Sequence, residues 1–459
     1  MISTPVRDFV RRYAASDAAR LHMPGHKGRG SLGCEALDIT EISGADDLYH
    51  PRGIIAESEE NASRLFGWPT FYSTEGSSLC IRAMLFLALA GRKNRRVLAG
   101  RNAHKTFLNT AVLLDFEIQW LCPEGQTCLE SCRISAEAVE RAILALPEPP
   151  AAVYLTSPDY LGNMADIAAV SVVCRRWGVL LLVDNAHGAY LKFLTPSRHP
   201  MDLGADLCCD SAHKTLPVLT GGAYLHMGPD WTTEEAKAAM ALFGSTSPSW
   251  LILQSLDGAN PAMERLPGDI AALAPHIAAL KGALLAHGFA LVGAEPLKIT
   301  VHAAKFGYSG EEMAEILEKQ GIFCEFADGD FLVFMLTPRN TPEELDRLRA
   351  ALCALPRGVR QEEPPIALAR PKAACTPRQA AFAPRETIPV ENSLGRILAL
   401  ANVSCPPAVP IVMCGEEIDE AAREALCRCG IEEVTVIKAS PSGVAAMQQK
   451  VEQARRSRT

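Results

Sequence analysis

From Ser77 to His226, apolar runs of strand length alternate with segments whose apolar residues recur at helical spacing. Apolar runs of about four to eight residues are typical of strands, and recurrence every three or four residues is typical of helices. The pattern predicts strands at Arg96–Ala99, Glu117–Leu121, Ala152–Leu155, Val179–Val183, Leu207–Asp210 and Ala223–His226, and helices at Ser77–Ala90, Ser135–Leu146 and Ile167–Trp177. Such a βαβ series predicts an α/β fold with a mainly parallel sheet and helices on both faces.

The flanking segments predict the domain organisation. Residues 1–40 show little periodicity and are interpreted as an N-terminal arm, followed by a large domain at 41–285 that begins with a helix at Ser58–Phe66. A long helix at Asp269–His287 leads into a small α/β domain at 286–360. A Pro-rich linker from Pro364 to Pro377 belongs to the last segment, 361–459, with a C-terminal α+β domain. The elements predicted in the last two domains are strands at Leu297–Ala303, Ile322–Phe326, Phe331–Leu336, Val409–Met413 and Glu433–Ile437, and helices at Gly310–Gln320, Thr341–Leu355 and Glu417–Cys429.

The composition is that of an ordinary globular chain with a slight acidic excess. The 459 residues include 45 Lys and Arg against 53 Asp and Glu, a formal net charge of −8. This balance disfavours nucleic acid and anionic membranes as partners. The apolar stretch at Ala83–Ala90 is too short to span a bilayer, and the first residues lack an apolar core of signal-peptide length. The 15 cysteines form no CxxC pair, so we expect reduced thiols in a cytoplasmic protein and no metal site.

Two polar clusters come directly after predicted strands. Asp184 follows the run LLLV, and Lys214 lies four residues after the strand that ends at Asp210. Because ligands bind at the carboxyl ends of the strands in an open α/β sheet, we expect both side chains at one site. Pyridoxal 5'-phosphate needs a lysine amine of lowered pKa for its aldehyde and a carboxylate for its pyridine nitrogen. The sequence therefore predicts that Lys214 holds this cofactor as a Schiff base and that Asp184 pairs with its ring nitrogen.

Further residues suit the other parts of the same cofactor. Its phosphate needs N–H groups at the start of a helix together with hydroxyl groups. Gly76, Ser77 and Ser78 stand at the start of a predicted helix, and Ser211 and His213 stand close to the lysine in sequence. A histidine, His104 in the segment Arg101–Lys105, is a candidate to stack on the ring.

Each of these residues also has an ordinary structural explanation. An Asp after a strand is commonly a turn or cap residue, and Gly-Ser-Ser before a helix is commonly an N-cap. A lone His is more often structural than catalytic. The order of the clusters along one predicted sheet favours a shared cofactor site over separate structural roles.

Longer motifs resemble those of one enzyme family. Leu21–Gly28 resembles an HMPGHK-type N-terminal motif, Arg101–Lys105 and Asp210–Pro217 match two further motifs, and Glu391–Arg396 and Pro410–Glu416 resemble C-terminal segments. The chain is similar to the ornithine/lysine/arginine decarboxylases of pyridoxal-phosphate fold type I, in the short form without an N-terminal wing domain. The resemblance implies an aspartate aminotransferase-like large domain, a small α/β domain and a C-terminal α+β domain. It also implies decarboxylation of lysine, arginine or ornithine to the amine, feeding polyamine synthesis.

The resemblance implies roles for residues at matching positions. The catalytic residues would be Lys214, His213 and His104, and the cofactor would be contacted by Gly76, Ser77, Ser78, His104, Asp184, Ala186, His187, Ser211, His213 and Lys214. The family also implies a homodimer with the active site at the interface, to which Asp46, Asp47 or Tyr49 would contribute. The chain departs from the family at Asn185, where Glu is common, and at Glu75, where Asn is frequent.

Substrate choice and two competing functions stay open at this stage. A cationic substrate side chain needs acidic partners, and the candidates Glu391, Asp46, Asp47 and Glu325 are not ranked by the sequence. An aminotransferase or another lyase on the same cofactor would need an Arg clamp for the substrate carboxylate, and Arg370 and Arg396 stand in no such pattern. A non-catalytic relative that binds the cofactor is disfavoured by the intact residues Lys214, Asp184 and His104.

Overall fold

The computed structural model describes residues 2–123, 132–359, 366, 370–400 and 410–438. Its helices are α1 (Pro5–Ala14), α2 (Ile54–Phe66), α3 (Gly76–Leu89), α4 (Lys105–Leu114), α5 (Ala136–Leu144), α6 (Ile167–Trp177), α7 (Ala212–Thr215), α8 (Thr233–Ala241), α9 (Trp250–Ala286), α10 (Gly310–Glu318), α11 (Pro342–Cys353), α12 (Pro377–Phe382) and α13 (Glu420–Arg428). Its strands are β1 (Thr70–Ser73), β2 (Arg96–Gly100), β3 (Glu117–Leu121), β4 (Ala152–Thr156), β5 (Leu180–Asp184), β6 (Leu207–Asp210), β7 (Ala223–Met227), β8 (Ala290–Val292), β9 (Lys298–His302), β10 (Phe326–Ala327), β11 (Phe331–Met335), β12 (Arg385–Pro389) and β13 (Glu433–Ile437).

The chain divides into two compact units, residues 1–92 with 135–362, and residues 93–134 with 363–459. The large sheet of the first unit contains the strands β1-β7-β6-β5-β4 in that order. Strands β4, β5 and β6 run parallel, whereas β7 pairs antiparallel with both β6 and β1. Each residue of β5 is buried, as expected for a strand covered on both faces. The register places Thr156 beside Asp184 and Asp184 beside Cys209, so three strand ends meet at one edge of the sheet.

A smaller sheet in the same unit is antiparallel throughout, in the order β10-β11-β9-β8. The adjoining helices α10 and α11 begin with capping boxes, at Ser309 with Glu312 and at Thr341 with Glu344. In such a box each side chain accepts a hydrogen bond from a backbone N–H that has no partner within the helix. These caps fix where the two helices start.

The second unit contains a parallel pair, β2 with β3, and an antiparallel pair, β12 with β13. Arg101, just after β2, forms a bidentate ion pair with Glu416, with Nη1–Oε1 at 2.7 Å and Nη2–Oε2 at 2.8 Å. Both side chains are 2% exposed. The pair joins segments that are 315 residues apart in sequence.

Most predicted elements are confirmed within a residue or two, and the exceptions have identifiable causes. A helix, α1, lies within the segment interpreted as an arm, and its Val6 and Val10 are fully buried. At residues 410–413 the predicted strand is wrong, because the backbone there forms bends rather than a ladder. The strand predicted at Ile322–Phe326 is likewise wrong except for its last residue. The residues Pro364, Pro365 and Val409 of other predicted segments lie outside the described residues, and the domain boundaries at 40, 285 and 360 remain predictions.

Helix α9 is much longer than the predicted helix at Asp269–His287. It contains Pro261, Pro267 and Pro275 and packs against α1, α2 and α11. Among the described residues, it is the one helix long and apolar enough to cross a membrane by length and composition. Core helices of soluble proteins meet the same criterion, and buried residues such as Leu253, Leu256 and Met263 recur along α9.

Candidate active site

The carboxylate of Asp184 lies at the end of β5 and is 2% exposed. Its Oδ2 accepts a 3.1 Å hydrogen bond from the hydroxyl of Tyr154, and its Oδ1 accepts one of 3.2 Å from the backbone N–H of Ala186. Burial, and next the charge of Asp184, raise the pKa of Tyr154 well above its usual value, so the phenol keeps its proton and donates. These contacts hold a carboxylate in one orientation at the strand ends.

Lys214 lies on the short helix α7, which directly follows β6. Its Nζ is 2.8 Å from Nε2 of His187, and His187 is its only hydrogen-bond partner among the residues that the structure describes. Burial lowers the pKa of the Lys214 amine, although the carboxylates of Asp184 and Glu325 act in the opposite direction. A lysine with a lowered pKa is a better nucleophile at neutral pH, because more of it is the free amine.

The second ring nitrogen of His187 faces another lysine. Nζ of Lys298, at the start of β9, lies 3.1 Å from Nδ1 of His187 and 3.0 Å from Oε2 of Glu295. Lys298 also donates to the backbone carbonyls of Asp159 and Tyr160, each at 3.3 Å. Lys298 and Glu295 are each 3% exposed, so this ion pair is enclosed within the first unit.

The start of α3 and the end of β6 bring two hydroxyl groups together. Ser211 donates a 2.9 Å hydrogen bond from its Oγ to Oγ of Ser77. Gly76 has a φ of +70°, in the left-handed region that favours glycine, and no side chain caps this helix at Glu75. The N–H of Gly76 donates to the carbonyl oxygen of Gly221 at 2.7 Å. The N–H groups of the rest of the first turn have no partner within the helix and lie beside the two hydroxyls.

His213 precedes Lys214 and has a defined ring orientation. Its Nδ1 is 2.9 Å from the carbonyl oxygen of Gly222. Since a carbonyl only accepts, Nδ1 carries the hydrogen, and a neutral His213 has its lone pair on Nε2.

A buried cluster lies behind Asp184. Asp210 accepts hydrogen bonds from His199 at 3.1 Å, from His226 at 3.0 Å and from the side-chain amide of Asn185 at 2.7 Å. Burial acts to raise the pKa of Asp210, but the two histidines outweigh it and lower the pKa below its ordinary range. His199, Cys208 and Asp210 are close enough together to hold a metal ion, and the hydrogen bonds to Asp210 account for the histidines without one.

Comparison with known proteins identifies the family. The model of the Orn/Lys/Arg decarboxylase major domain matches residues 4–272, more than half of the chain. The chain belongs to the Orn/Lys/Arg decarboxylase family.

Relatives agree with this assignment, and a solved structure shows the same fold. The chain is 29% identical over 453 residues to the arginine decarboxylase of Halalkalibacterium halodurans, covering 91% of each sequence. It is 28% identical over 466 residues to the uncharacterised Bacillus subtilis protein YaaO, covering 93% of this chain and 94% of YaaO. The structure of the Francisella novicida lysine decarboxylase LdcF superposes with a TM-score of 0.79 at 16% identity, over 95% of this chain and 81% of LdcF.

Membership of the Orn/Lys/Arg decarboxylase family confirms three predictions: the family, the pyridoxal-phosphate fold type I and the class of enzyme. The family and fold imply pyridoxal 5'-phosphate as the cofactor. The residues present fit it, because Lys214 offers a nucleophilic amine and Asp184 a buried carboxylate, and the hydroxyls of Ser77 and Ser211 meet at the start of α3.

Several residues predicted for the site lie together in the first unit, and others do not. The contacts above join them in three groups: Asp184 with Ala186, His187 with Lys214, and Ser211 with Ser77. The remaining positions are Ser78 in the first turn of α3, His104 at the N-cap of α4 in the second unit, and Glu391 exposed in a short 3-10 helix of the second unit. The roles of these residues in this decarboxylase family member stay predictions.

The proposed substrate residues Asp46 and Asp47 are engaged by backbone N–H groups. Asp46 accepts hydrogen bonds from the N–H groups of Gly53 and Ile55 at the start of α2, at 2.8 and 3.0 Å. Asp47 accepts one of 2.8 Å from the N–H of Tyr49. These contacts give both carboxylates a structural role, and Asp47 remains exposed.

Sequence analysis did not predict four residues that the structure places around Lys214 and Asp184. Lys298, Glu295, Tyr154 and Tyr160 come from different strands and loops, and their contacts depend on tertiary structure. The one local signal is at Lys298, a charged residue inside a predicted apolar strand.

Proposed function

We propose that this chain removes the α-carboxyl group of a basic amino acid, with arginine the first substrate to test. The placement of Asp184 at the end of β5 and of Lys214 on α7, directly after the neighbouring strand β6, supports the proposal most strongly, because a pyridoxal-phosphate decarboxylase needs this pair. Arginine comes first because the named relatives that match over most of the chain are arginine decarboxylases.

Pyridoxal 5'-phosphate, when bound, supplies an electron sink for the bond to the departing carboxylate. The amine of Lys214 would hold its aldehyde, and Asp184 would keep a proton on the ring nitrogen. Ser77 and Ser211, with the N–H groups of α3, would hold its phosphate. His104 is proposed to cover the ring.

His213 is positioned by its own hydrogen bond for proton transfer. Because its Nδ1–H donates to Gly222, the proton that it exchanges would be on Nε2. We propose His213, together with Lys214, as the group that returns a proton to the α carbon after carbon dioxide leaves.

Glu325 is the proposed partner for the cationic end of the substrate. It is exposed, its Oε1 accepts a 3.0 Å hydrogen bond from the hydroxyl of Tyr160, and its charge raises the pKa of Lys214. The ring of Tyr160 also meets the ring of His187 edge-on, with centroids 5.2 Å apart. Asp46 and Asp47 are less favoured, since they serve the backbone of α2 and the segment before it. Glu391 stays a further candidate.

We further propose a cytoplasmic homodimer whose product amine feeds polyamine synthesis. Family membership supports this assembly and this use of the product.

The test is carbon dioxide release by the purified chain supplied with pyridoxal 5'-phosphate. Arginine, lysine and ornithine are offered separately, with glutamate as an acidic control. Release from one basic amino acid that is lost in Lys214→Ala and kept in the exposed control Lys319→Ala supports the proposal. Conversion of the amino acid to a keto acid without carbon dioxide would contradict it and favour an aminotransferase.

A further inference from the structure

The ring of His187 lies between two lysines, and the hydrogens available do not allow both to be ammonium ions. Nε2 is 2.8 Å from Nζ of Lys214, and Nδ1 is 3.1 Å from Nζ of Lys298. A neutral imidazole has one N–H and one lone pair, whereas an ammonium group only donates. The imidazole N–H must therefore point to a lysine that is a neutral amine, which accepts it.

The surroundings of Lys298 identify it as the charged lysine. Its Nζ is within 3.0 Å of a carboxylate oxygen of Glu295 and within 3.3 Å of the carbonyl oxygens of Asp159 and Tyr160. Oε2 of Glu295 is an ion-pair partner without a hydrogen bond, so the hydrogen-bond partners of Nζ are the two carbonyl oxygens and Nδ1 of His187. Three acceptors match the three N–H groups of an ammonium ion. Nδ1 of His187 is then one of these acceptors, so the hydrogen of the imidazole is on Nε2.

The surroundings of Lys214 identify it as the neutral lysine. Within the described part of the chain, its Nζ makes one hydrogen bond, to Nε2 of His187. An Nε2–H directed at Nζ from 2.8 Å is a stable arrangement only if Nζ offers a lone pair. The geometry thus indicates three protonation states: Lys298 is an ammonium ion, His187 carries its hydrogen on Nε2, and Lys214 is a neutral amine.

We propose that Lys298 is a positioning residue that fixes the Nε2–H tautomer of His187 and so keeps Lys214 in the neutral form that cofactor attachment requires. The role rests on the proposed function, in which the Lys214 amine attacks the cofactor aldehyde. In that condensation, the nitrogen lone pair forms the new carbon–nitrogen bond. Both amine hydrogens leave with the aldehyde oxygen as one water molecule, so an ammonium ion cannot begin the reaction.

The charged groups of the site shift the pKa of Lys214 in both directions. The groups that face it are Asp184, Cys209, Glu325, Lys298 and His187. Burial lowers the pKa of Lys214 and the positive charge of Lys298 lowers it further, whereas Asp184, Glu325 and Cys209 act to raise it. Lys298 therefore acts by its charge as well as through His187.

The experiment measures the protonation of Lys214 directly, by competitive acetylation of the full-length chain freed of cofactor. Acetic anhydride reacts with an amine only in its unprotonated form, so the acetylation of Lys214 against pH, followed by mass spectrometry, reports its protonation. Lys298→Met removes the charge, and Lys298→Arg keeps it. Lys237→Met is the matched control, because Lys237 is also 3% exposed and is also paired with a buried carboxylate, Glu59 at 2.6 Å.

In Lys298→Met we expect the pH midpoint for Lys214 to rise and its labelling at neutral pH to slow by roughly tenfold, since His187 can then accept a hydrogen from a Lys214 ammonium. Lys298→Arg should restore most of the labelling, and Lys237→Met should leave it unchanged. An unchanged midpoint in Lys298→Met, or an equal rise in Lys237→Met, would overturn the proposal.

A second measurement needs no Lys298 variant, so it can be made even if the Lys298 variants do not fold. Nitrogen-15 NMR of histidine-labelled wild-type chain, with His187→Gln to assign the signal, reports which ring nitrogen carries the hydrogen. The Nε2–H tautomer is expected, and an Nδ1–H tautomer would refute the proposal. Both readouts are independent of decarboxylation. A chain that releases no carbon dioxide would therefore contradict the proposed function, whereas the role of Lys298 is decided by the two readouts alone.

Discussion

The side-chain amide of Asn185 donates a 2.7 Å hydrogen bond to Oδ1 of Asp210, and both side chains are fully buried. Asn185 stands where the family commonly has Glu. A carboxylate at 185 would meet the carboxylate of Asp210, whereas an amide supplies the donor that Asp210 accepts. The departure at 185 is therefore matched to its neighbour in space, one strand away.

We expect Asn185→Asp to destabilise the fold by about 3–5 kcal/mol, because it places two buried carboxylates in contact and removes a donor. Chemical denaturation monitored by circular dichroism gives the free energy of unfolding. The matched control is Asn340→Asp, since Asn340 donates to Glu344 at an exposed position, where a change within about 0.5 kcal/mol is expected. Equal losses in the two variants would contradict the contact at Asp210.

Ser77→Ala and Ser211→Ala should weaken binding of pyridoxal 5'-phosphate and spare binding of pyridoxal, which has no phosphate. Loss of one hydrogen bond to a charged group is worth about 1.5–3 kcal/mol, or roughly 10- to 150-fold in affinity. Equilibrium titration followed by absorbance measures both affinities. If pyridoxal and its phosphate weakened equally, the two hydroxyls would not be phosphate ligands.

Glu416→Gln should destabilise the second unit by about 3–5 kcal/mol, since it leaves the Arg101 guanidinium buried without its carboxylate. Thermal unfolding checks this. The control is Asp346→Asn, which breaks an exposed ion pair with Arg349. The side chain of Arg349 is 48% exposed and that of Asp346 is 67% exposed. This variant should lose less than about 1 kcal/mol of stability. A small effect of Glu416→Gln would mean that Arg101 finds another partner.

Asp46 should stabilise the fold in a pH-dependent way. Partial burial acts to raise its pKa, but hydrogen bonds from backbone N–H groups, led by that of Arg52, outweigh burial and lower it. A carboxyl group with a lowered folded-state pKa contributes stability above its unfolded pKa of about 4, and this stability is lost as pH falls through the lowered value.

The stability gap between wild type and Asp46→Asn should therefore be largest above about pH 5 and shrink in acid. Denaturation at several pH values measures this gap. Asp17→Asn, at an exposed position, should show no such trend. If the difference in unfolding free energy between wild type and Asp46→Asn stayed constant as the pH is lowered, the proposed hydrogen bonds to the Asp46 carboxylate would be contradicted.

Sequence patterns predicted the elements around Asp184 and Lys214, because these elements are local in the chain. The structure places Asp184 at the end of β5 and Lys214 on α7, directly after β6. The long motifs around them carried the family assignment, which the comparisons confirm.

Residues that act through tertiary contacts could not be found in this way. Lys298 and His187 are 111 residues apart, and no sequence pattern near Lys298 predicts which residues it contacts. Helix α1 escaped notice because two valines four apart are too short a pattern, although burying each stabilises the fold by roughly 1.5–3 kcal/mol. The sequence analysis predicted α9 too short because the helix contains three prolines, and an interior proline normally ends or kinks a helix.

The most direct test of the central claim is the site of cofactor attachment. The purified chain is incubated with pyridoxal 5'-phosphate, reduced with borohydride and digested, and the peptides are analysed by mass spectrometry. We predict the phosphopyridoxyl group on Lys214, with none on Lys298 or Lys237 and none in Lys214→Ala. Attachment at another lysine, or equal attachment after Lys214→Ala, would contradict the assignment of this active site.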